Sequence, residues 1–192
     1  MSTAPAPAAT PHPPPDQRRG PTMDTRHTVI ESGLGPLTVV ARGQALTGLY
    51  FADHVRRPAE EALGPRVPAA DDPLFAEAAE QLHDYLAGRR DTFALPLAPE
   101  GDTFQHAVWD LVRAIPHGGT TTYGTIAERL GAPGLAQRVG QAVGANPLCV
   151  LVPCHRVVGA DNSLTGYAGG LARKRALLTL EEPAEVTASR LF

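Results

Sequence analysis

The sequence predicts an α+β fold: a small N-terminal α/β domain, an antiparallel sheet plus one helix, followed by a mainly helical domain. Three observations carry this. Residues 27–51, HTVIESGLGPLTVVARGQALTGLYF, break short β-branched and apolar runs with glycine, the pattern of two or three antiparallel strands. LFAEAAEQLHDYLAG sets Phe75, Ala79, Leu82 and Leu86 at helical spacing, with Gly88 as the stop. TTTYGTIAERLGAPGLAQRVGQAVGAN gives two short helices joined by Gly-Ala-Pro, which is helix-turn-helix spacing.

Residues 1–26 read as a disordered leader. The first 25 hold seven prolines and almost no large apolar side chains, so burial cannot offset the entropy of ordering. Met23 offers a second start. A signal-peptide apolar region and a membrane-length span are both missing, which places the protein in the cytoplasm. The α/β domain then covers 27–99, closed by DTFALPL as an edge strand that tolerates Pro96. The helical domain covers 100–182, and 183–192 form a tail. In the helical domain Thr103 can cap a helix whose Phe104, Val108, Leu111 and Ile115 share one stripe, stopped by Pro116.

The helix-turn-helix segment buries Ile126 and Leu130 from its first helix and Leu135, Val139 and Val143 from its second. On the second helix Ala136, Gly140 and Gly144 form another stripe with almost no side chain. Two readings fit it: tight packing on a neighbouring helix, or close approach to a nucleic-acid groove. Gln137, Arg138 and Gln141 lie alongside and favour the second.

The formal charge is −3, but residues 113–160 carry Arg113, Arg129, Arg138 and Arg156 against Glu128 alone. That local excess suits a phosphate-facing surface, or simply a solvated one. The cysteines, Cys149 and Cys154, are five residues apart in a segment that reads as extended, about 16 Å, too far for a disulfide. A reducing compartment follows. Without a CxxC pair or an HxxxH spacing, no metal is expected.

LVPCHRVV is the stretch that carries chemistry. Pro153 cannot donate a ladder hydrogen bond, so the apolar run should break there and present Cys154. An ordinary thiol is only a few per cent ionised at neutral pH, so a nucleophilic one needs a base or a positive field. His155 and Arg156 are at hand, but strand neighbours point to opposite faces, so His155 reaches the sulfur only if the chain turns or a water bridges them. An orienting carboxylate is available in LARKRALLTLEE, where Leu171, Leu178 and Glu181 share a helical stripe and Glu182 lies about 100° away. Lys174 lies on the same stripe, so a structural Glu181–Lys174 pair competes with a catalytic role for Glu181.

PCHRV, preceded by Asn146-Pro147 and followed by GYAGG and a Leu-rich helix ending in Glu, resembles the active-site signature of the O6-alkylguanine-DNA alkyltransferases. The resemblance covers 104–182 and implies a winged helix-turn-helix-like catalytic DNA-binding domain. It implies that Cys154 takes an alkyl group from a guanine rotated out of the duplex, that His155 relays the thiol proton through water, and that Glu181 holds the imidazole. Asn146 matches an asparagine that braces the turn before the cysteine, and Tyr123 a tyrosine that crowds the target phosphate and protonates the leaving guanine. Tyr167 matches a pocket wall, with Ala168 beside it and Pro153 next to the sulfur, and the backbone at Val157 would read the base edge. Ala136, Gln137, Arg138, Gly140, Gln141 and Arg156 would meet DNA; a count back from Asn146 puts Gln137 where the family has an intercalating arginine, and a register one residue different puts Arg138 there. The implied partner is double-stranded DNA containing O6-alkylguanine, bound by a monomer without cofactor, metal or membrane. Cys149 is expected to be a second thiol with no catalytic role. Competing readings are a lesion sensor, a helix-turn-helix regulator and a cysteine hydrolase. A sensor lacks the cysteine, a regulator needs an effector domain, and a hydrolase turns over esters or amides.

Overall fold

The computed structural model describes residues 25–182, so the expected leader up to residue 24 and the tail from 183 lie outside the described residues. Thr25 and Arg26, expected in the leader, instead open the first strand. Strands β1 (Thr25–Ile30), β2 (Leu37–Arg42) and β3 (Ala45–Phe51) form one antiparallel sheet in that order. Gly35 and Gly43 take positive φ in the two connecting turns, where a side chain would be strained.

Helix α1 (Pro73–Leu86) starts where the chain supplies both a cap and a favourable first residue. Asp72 accepts the Leu74 and Phe75 amides, and Pro73 loses no hydrogen bond at the first position. Its buried stripe is Phe75, Ala78, Leu82 and Tyr85, rotated from the expected one, with Ala79 and Leu86 half-buried. The larger Tyr85 takes the inward direction because it has polar partners to reach. The segment with Pro96 makes a single bridge to β3 rather than a strand. Leu46 donates to the Pro96 carbonyl at 2.8 Å, which leaves the missing proline N–H without consequence.

The second half contains α2 (Thr103–Arg113), β4 (Thr121–Thr122), α3 (Tyr123–Arg129), α4 (Ala136–Gly144), β5 (Val157–Val158) and α5 (Leu171–Leu180). Asp102, one residue before the expected Thr103, caps α2 in a reciprocal box with Gln105. Trp109, outside the expected stripe, is buried and donates from Nε1 to the Ala142 carbonyl at 2.8 Å, fixing α2 on α4. β4 and β5 pair in parallel beside the α3–α4 motif. Leu135 belongs to a short 3-10 turn ahead of α4 and is 36% exposed, while Ala142 takes the buried place expected for it. Leu171, likewise expected inside, is exposed, and the buried face of α5 is Lys174 and Leu177.

One continuous apolar core runs through both halves, from Val39, Leu49 and Phe51 to Val108, Val139, Leu148 and Leu177. The join is a backbone contact: Leu49 donates to the Pro147 carbonyl at 2.7 Å and accepts from the Cys149 amide at 3.3 Å. No helix among the described residues is long and apolar enough to cross a membrane.

Candidate active site

The run from Asn146 to Pro153 is not a strand. Val150 takes φ of 70°, and the chain folds back on itself, with Val152 donating to the Leu148 carbonyl at 2.8 Å. Asn146 braces this reversal, donating from Nδ2 to the Val152 carbonyl at 2.8 Å and accepting the Leu148 amide at 3.0 Å. The unbroken apolar run from Leu148 to Val152 suited a buried strand equally well; the asparagine decides for the turn. The consequence overturns the expected separation of the two cysteines, whose thiols are brought close enough to interact directly.

Cys154 opens a one-turn 3-10 helix, Cys154–Arg156, so the chain does turn between the sulfur and His155. His155 is fully buried, and its Nε2 lies 2.7 Å from Glu181 Oε1. The carboxylate requires the ring proton on Nε2, which leaves Nδ1 unprotonated. Nδ1 is buried with no hydrogen-bond partner among the described residues. Burial holds the imidazole below its usual pKa, against the pull of Glu181, so it rests neutral.

Glu181 caps α5 and collects donors from three other segments. Arg156 binds it through Nε at 2.8 Å and Nη2 at 3.0 Å, Gly118 donates its amide at 3.3 Å, and the Tyr85 hydroxyl donates from α1. Burial works against the carboxylate, but the bonds from His155 and Arg156 prevail and hold it well below the usual carboxylate range. The competing Glu181–Lys174 pair does not form. Lys174 is buried and donates to the carbonyls of Val157 at 2.7 Å and Thr165 at 2.6 Å.

Arg156, expected on the DNA face, is therefore corrected. It is 6% exposed, and its remaining nitrogen donates to the Ile115 carbonyl at 2.6 Å. Its charge serves Glu181, because a buried carboxylate needs a fixed counter-ion.

A cavity of about 300 Å³ opens onto Cys154, lined by Tyr123, Gly140, Val143, Gly144, Tyr167 and Ala168, with Val55 and Arg56 at the N-terminal half. The bare stripe of α4 thus forms a wall of this cavity. A Cβ at Gly144 would meet open space, and one at Gly140 would come no nearer than 3.7 Å to the Tyr123 ring. Tyr167 and Ala168 line it as expected, whereas Pro153 faces a separate cavity with Arg113 and His117. Val157 is buried, with its carbonyl engaged by Lys174. In GYAGG, a Cβ at Gly169 would come within 2.4 Å of the Phe51 ring, so only glycine lets this loop close over the site.

On the outer surface of α4, Gln137, Arg138 and Gln141 are exposed and Ala136 is half-buried. Arg138 stacks over the Phe104 ring at 4.1 Å. Sequence reasoning missed Tyr85, Val55 and Arg56, which reach the site from the N-terminal half; no motif marks them.

The Cys154 thiol is held below its usual pKa, first by the hydrogen bond from Cys149, then by Asn146 and the Lys174 ammonium, against the effect of burial. A buried thiol biased to ionise, at the floor of an apolar-walled cavity, suits attack on an electrophilic carbon.

Residues 25–99 match the 6-O-methylguanine DNA methyltransferase ribonuclease-like domain, and residues 103–183 match the DNA-binding domain of the same name. A methylated-DNA-protein-cysteine methyltransferase of Mycobacterium tuberculosis is 43% identical over 164 residues, 84% of this chain and 96% of the relative. A relative of the same name from Haemophilus influenzae is 37% identical over 158 residues, 81% of this chain and 86% of the relative. The crystal structure of M. tuberculosis O6-methylguanine methyltransferase superposes with a TM-score of 0.74 at 42% identity, covering 86% of this chain and 99% of that one. M. tuberculosis OGT in complex with DNA gives 0.72 at 43% identity, covering 84% and 98%. By its sequence along both halves, its fold and the composition of its cysteine site, this chain belongs to the 6-O-methylguanine DNA methyltransferase family.

Proposed function

We propose that this protein repairs DNA by moving an alkyl group from the O6 position of guanine in a duplex onto Cys154, once per molecule. The observation that carries the reading is the junction of two features: a thiol biased toward thiolate lies at the floor of a cavity, and one wall of that cavity is the inner face of α4. The outer face of the same helix offers Gln137, Arg138 and Gln141 to a duplex.

A target atom inside the stack is out of reach, so the guanine must be extruded, at a cost of a few kcal/mol that is lower for a weakly paired lesion. Small residues along α4 let the backbone approach the groove while the base enters beside Gly140 and Gly144. Gln137 occupies the vacated place, and Arg138 contacts backbone phosphate. His155 accepts the Cys154 proton at Nδ1 through a bridging water, and Glu181 stabilises the imidazolium that forms. The thiolate attacks the alkyl carbon; the S–C bond forms as the C–O6 bond breaks, its electron pair leaving on guanine, which takes a proton from the Tyr123 hydroxyl. The product thioether resists hydrolysis, so the protein is consumed. The chain acts as a monomer in a cytoplasmic setting, with no metal or cofactor in the transfer.

Intact-mass measurement after mixing with a duplex containing O6-methylguanine tests this. The expected result is a gain of about 14 Da, hydrogen replaced by methyl at the nucleophile, on Cys154 and at one equivalent per chain. A label on Cys149, or more than one turnover, overturns it.

A further inference from the structure

His54, in the turn after β3, is 5% exposed and meets the site from the N-terminal half. Its Nδ1 accepts the Arg56 backbone amide at 3.1 Å, and its Nε2 lies 3.2 Å from Cys149 Sγ. An amide can only donate, so Nδ1 carries no proton. Burial lowers the affinity of this imidazole for a second proton, against the attraction of Asp53, and the ring stays neutral. Its one proton is therefore on Nε2 and points at Cys149. A sulfur that accepts from His54 has its own hydrogen to give elsewhere, and the groups that meet Cys149 there are the Cys154 sulfur and the buried Tyr167 hydroxyl, of which Cys154 is the one biased to ionise.

We propose that His54 and Cys149 are positioning residues for the transfer thiol: His54 Nε2–H donates to Cys149 Sγ, and Cys149 S–H donates to Cys154 Sγ, favouring its thiolate. The proposal rests on Cys154 being the nucleophile of the function above. A thiol is a weak donor to a neutral partner, but a bond to an ionised sulfur is charge-assisted and about twice as strong. The relay is one-directional because the Arg56 amide fixes the tautomer at its far end. Groups facing Cys154 from other elements are the Lys174 ammonium on α5, His155 coupled to Glu181, Tyr123 on α3, Tyr167 in the closing loop, and Arg56 at the cavity rim. Lys174 acts in the same direction as the relay but through space, so it does not depend on the identity of residue 149.

The test is the pH dependence of Cys154 alkylation by iodoacetamide, assigned by peptide mapping, with thermal unfolding recorded for each variant. Cys149→Ala is expected to move the midpoint up by about one pH unit, so that alkylation at pH values below it slows about tenfold while the alkaline plateau is unchanged. Cys149→Ser keeps a donor and restores the wild-type midpoint. His54→Leu raises the midpoint, and His54→Gln, which keeps a nitrogen donor near the Nε2 position, does not. An unchanged midpoint in folded Cys149→Ala overturns the relay, as does a Ser variant that behaves like Ala. Should Cys149→Ala fail to fold, equal midpoints for the two His54 variants overturn it. Iodoacetamide needs no guanine, so a shifted midpoint in a protein that takes no methyl group from DNA refutes the repair reading and leaves the relay standing.

Discussion

Glu181 shows how much one side chain can hold. It accepts from His155, Arg156, Tyr85 and Gly118, and the Arg156 charge it neutralises is itself buried. Glu181→Gln is expected to slow alkyl transfer about 10²-fold, the range of a lost acid–base partner, with duplex binding nearly unchanged. It also leaves Arg156 without a counter-ion, a change of about 3–5 kcal/mol in stability. Equal losses of transfer and binding, measured below the variant's melting temperature, would mean that Glu181 maintains the fold alone. The sign of the pH dependence follows from the same cluster. Glu181 and His155 both have native pKa values below their unfolded ones, so each stabilises the native state at neutral pH. His155's share is lost as pH falls below its unfolded value near 6.5, and Glu181's as pH falls below about 4.3. The melting temperature should therefore drop through this window, and the drop below pH 5 should be shallower in Glu181→Gln. Glu181 could be picked out by its place on an apolar helix face. Its partner Arg156 could not, because a basic residue beside a reactive cysteine fits a DNA-facing role equally well until the turn at Cys154–Arg156 directs it inward.

At the scale of elements, helices were legible and the turn before Cys154 was not. Heptad-like spacing marked α1, α2 and α4, and the errors were rotations or shifts of a residue, as at Ala79, Thr103 and Leu135. The 146–153 segment misled because an unbroken apolar run is common to a buried strand and a buried turn, and only the bonds of Asn146 separate them. α4 carries a prediction of its own. Arg138, steered sideways by its stack on Phe104, should contact phosphate: Arg138→Ala is expected to weaken binding to damaged and undamaged duplexes alike and reduce the salt slope by about one. Gln137→Ala should lower repair of duplex DNA while leaving reaction with free O6-alkylguanine unchanged. Selective loss of duplex repair in Arg138→Ala, with its salt slope intact, would exchange the two roles.

Over the whole molecule, the two halves differ in sequence character but do not have separate interiors. Leu49 and Phe51 of the sheet pack in the same core as Leu148 and Val139, and Tyr85 and His54 reach across to the cysteine site. These links join residues 95 and 96 apart in the chain, which local pattern cannot register. A fragment beginning at residue 100 should therefore fail to fold, exposing Leu148 and Val150; sharp cooperative unfolding of such a fragment would show that the join is dispensable. Phe51→Ala should cost about 3–5 kcal/mol and affect both halves in a single transition.

Lys174 gives the spent protein a different character. Its ammonium is buried on carbonyl oxygens, and among the described residues the Cys154 thiolate is the negative charge that favours it. Transfer of an alkyl group turns the sulfur into a thioether that can no longer ionise, which leaves the cation enclosed against burial alone. Repair thus removes the interior's capacity to form that counter-ion, so the alkylated chain should melt at a lower temperature than the free one once the pH is high enough to ionise the free thiol. Lys174→Met should narrow that gap, since a neutral side chain does not register the missing anion.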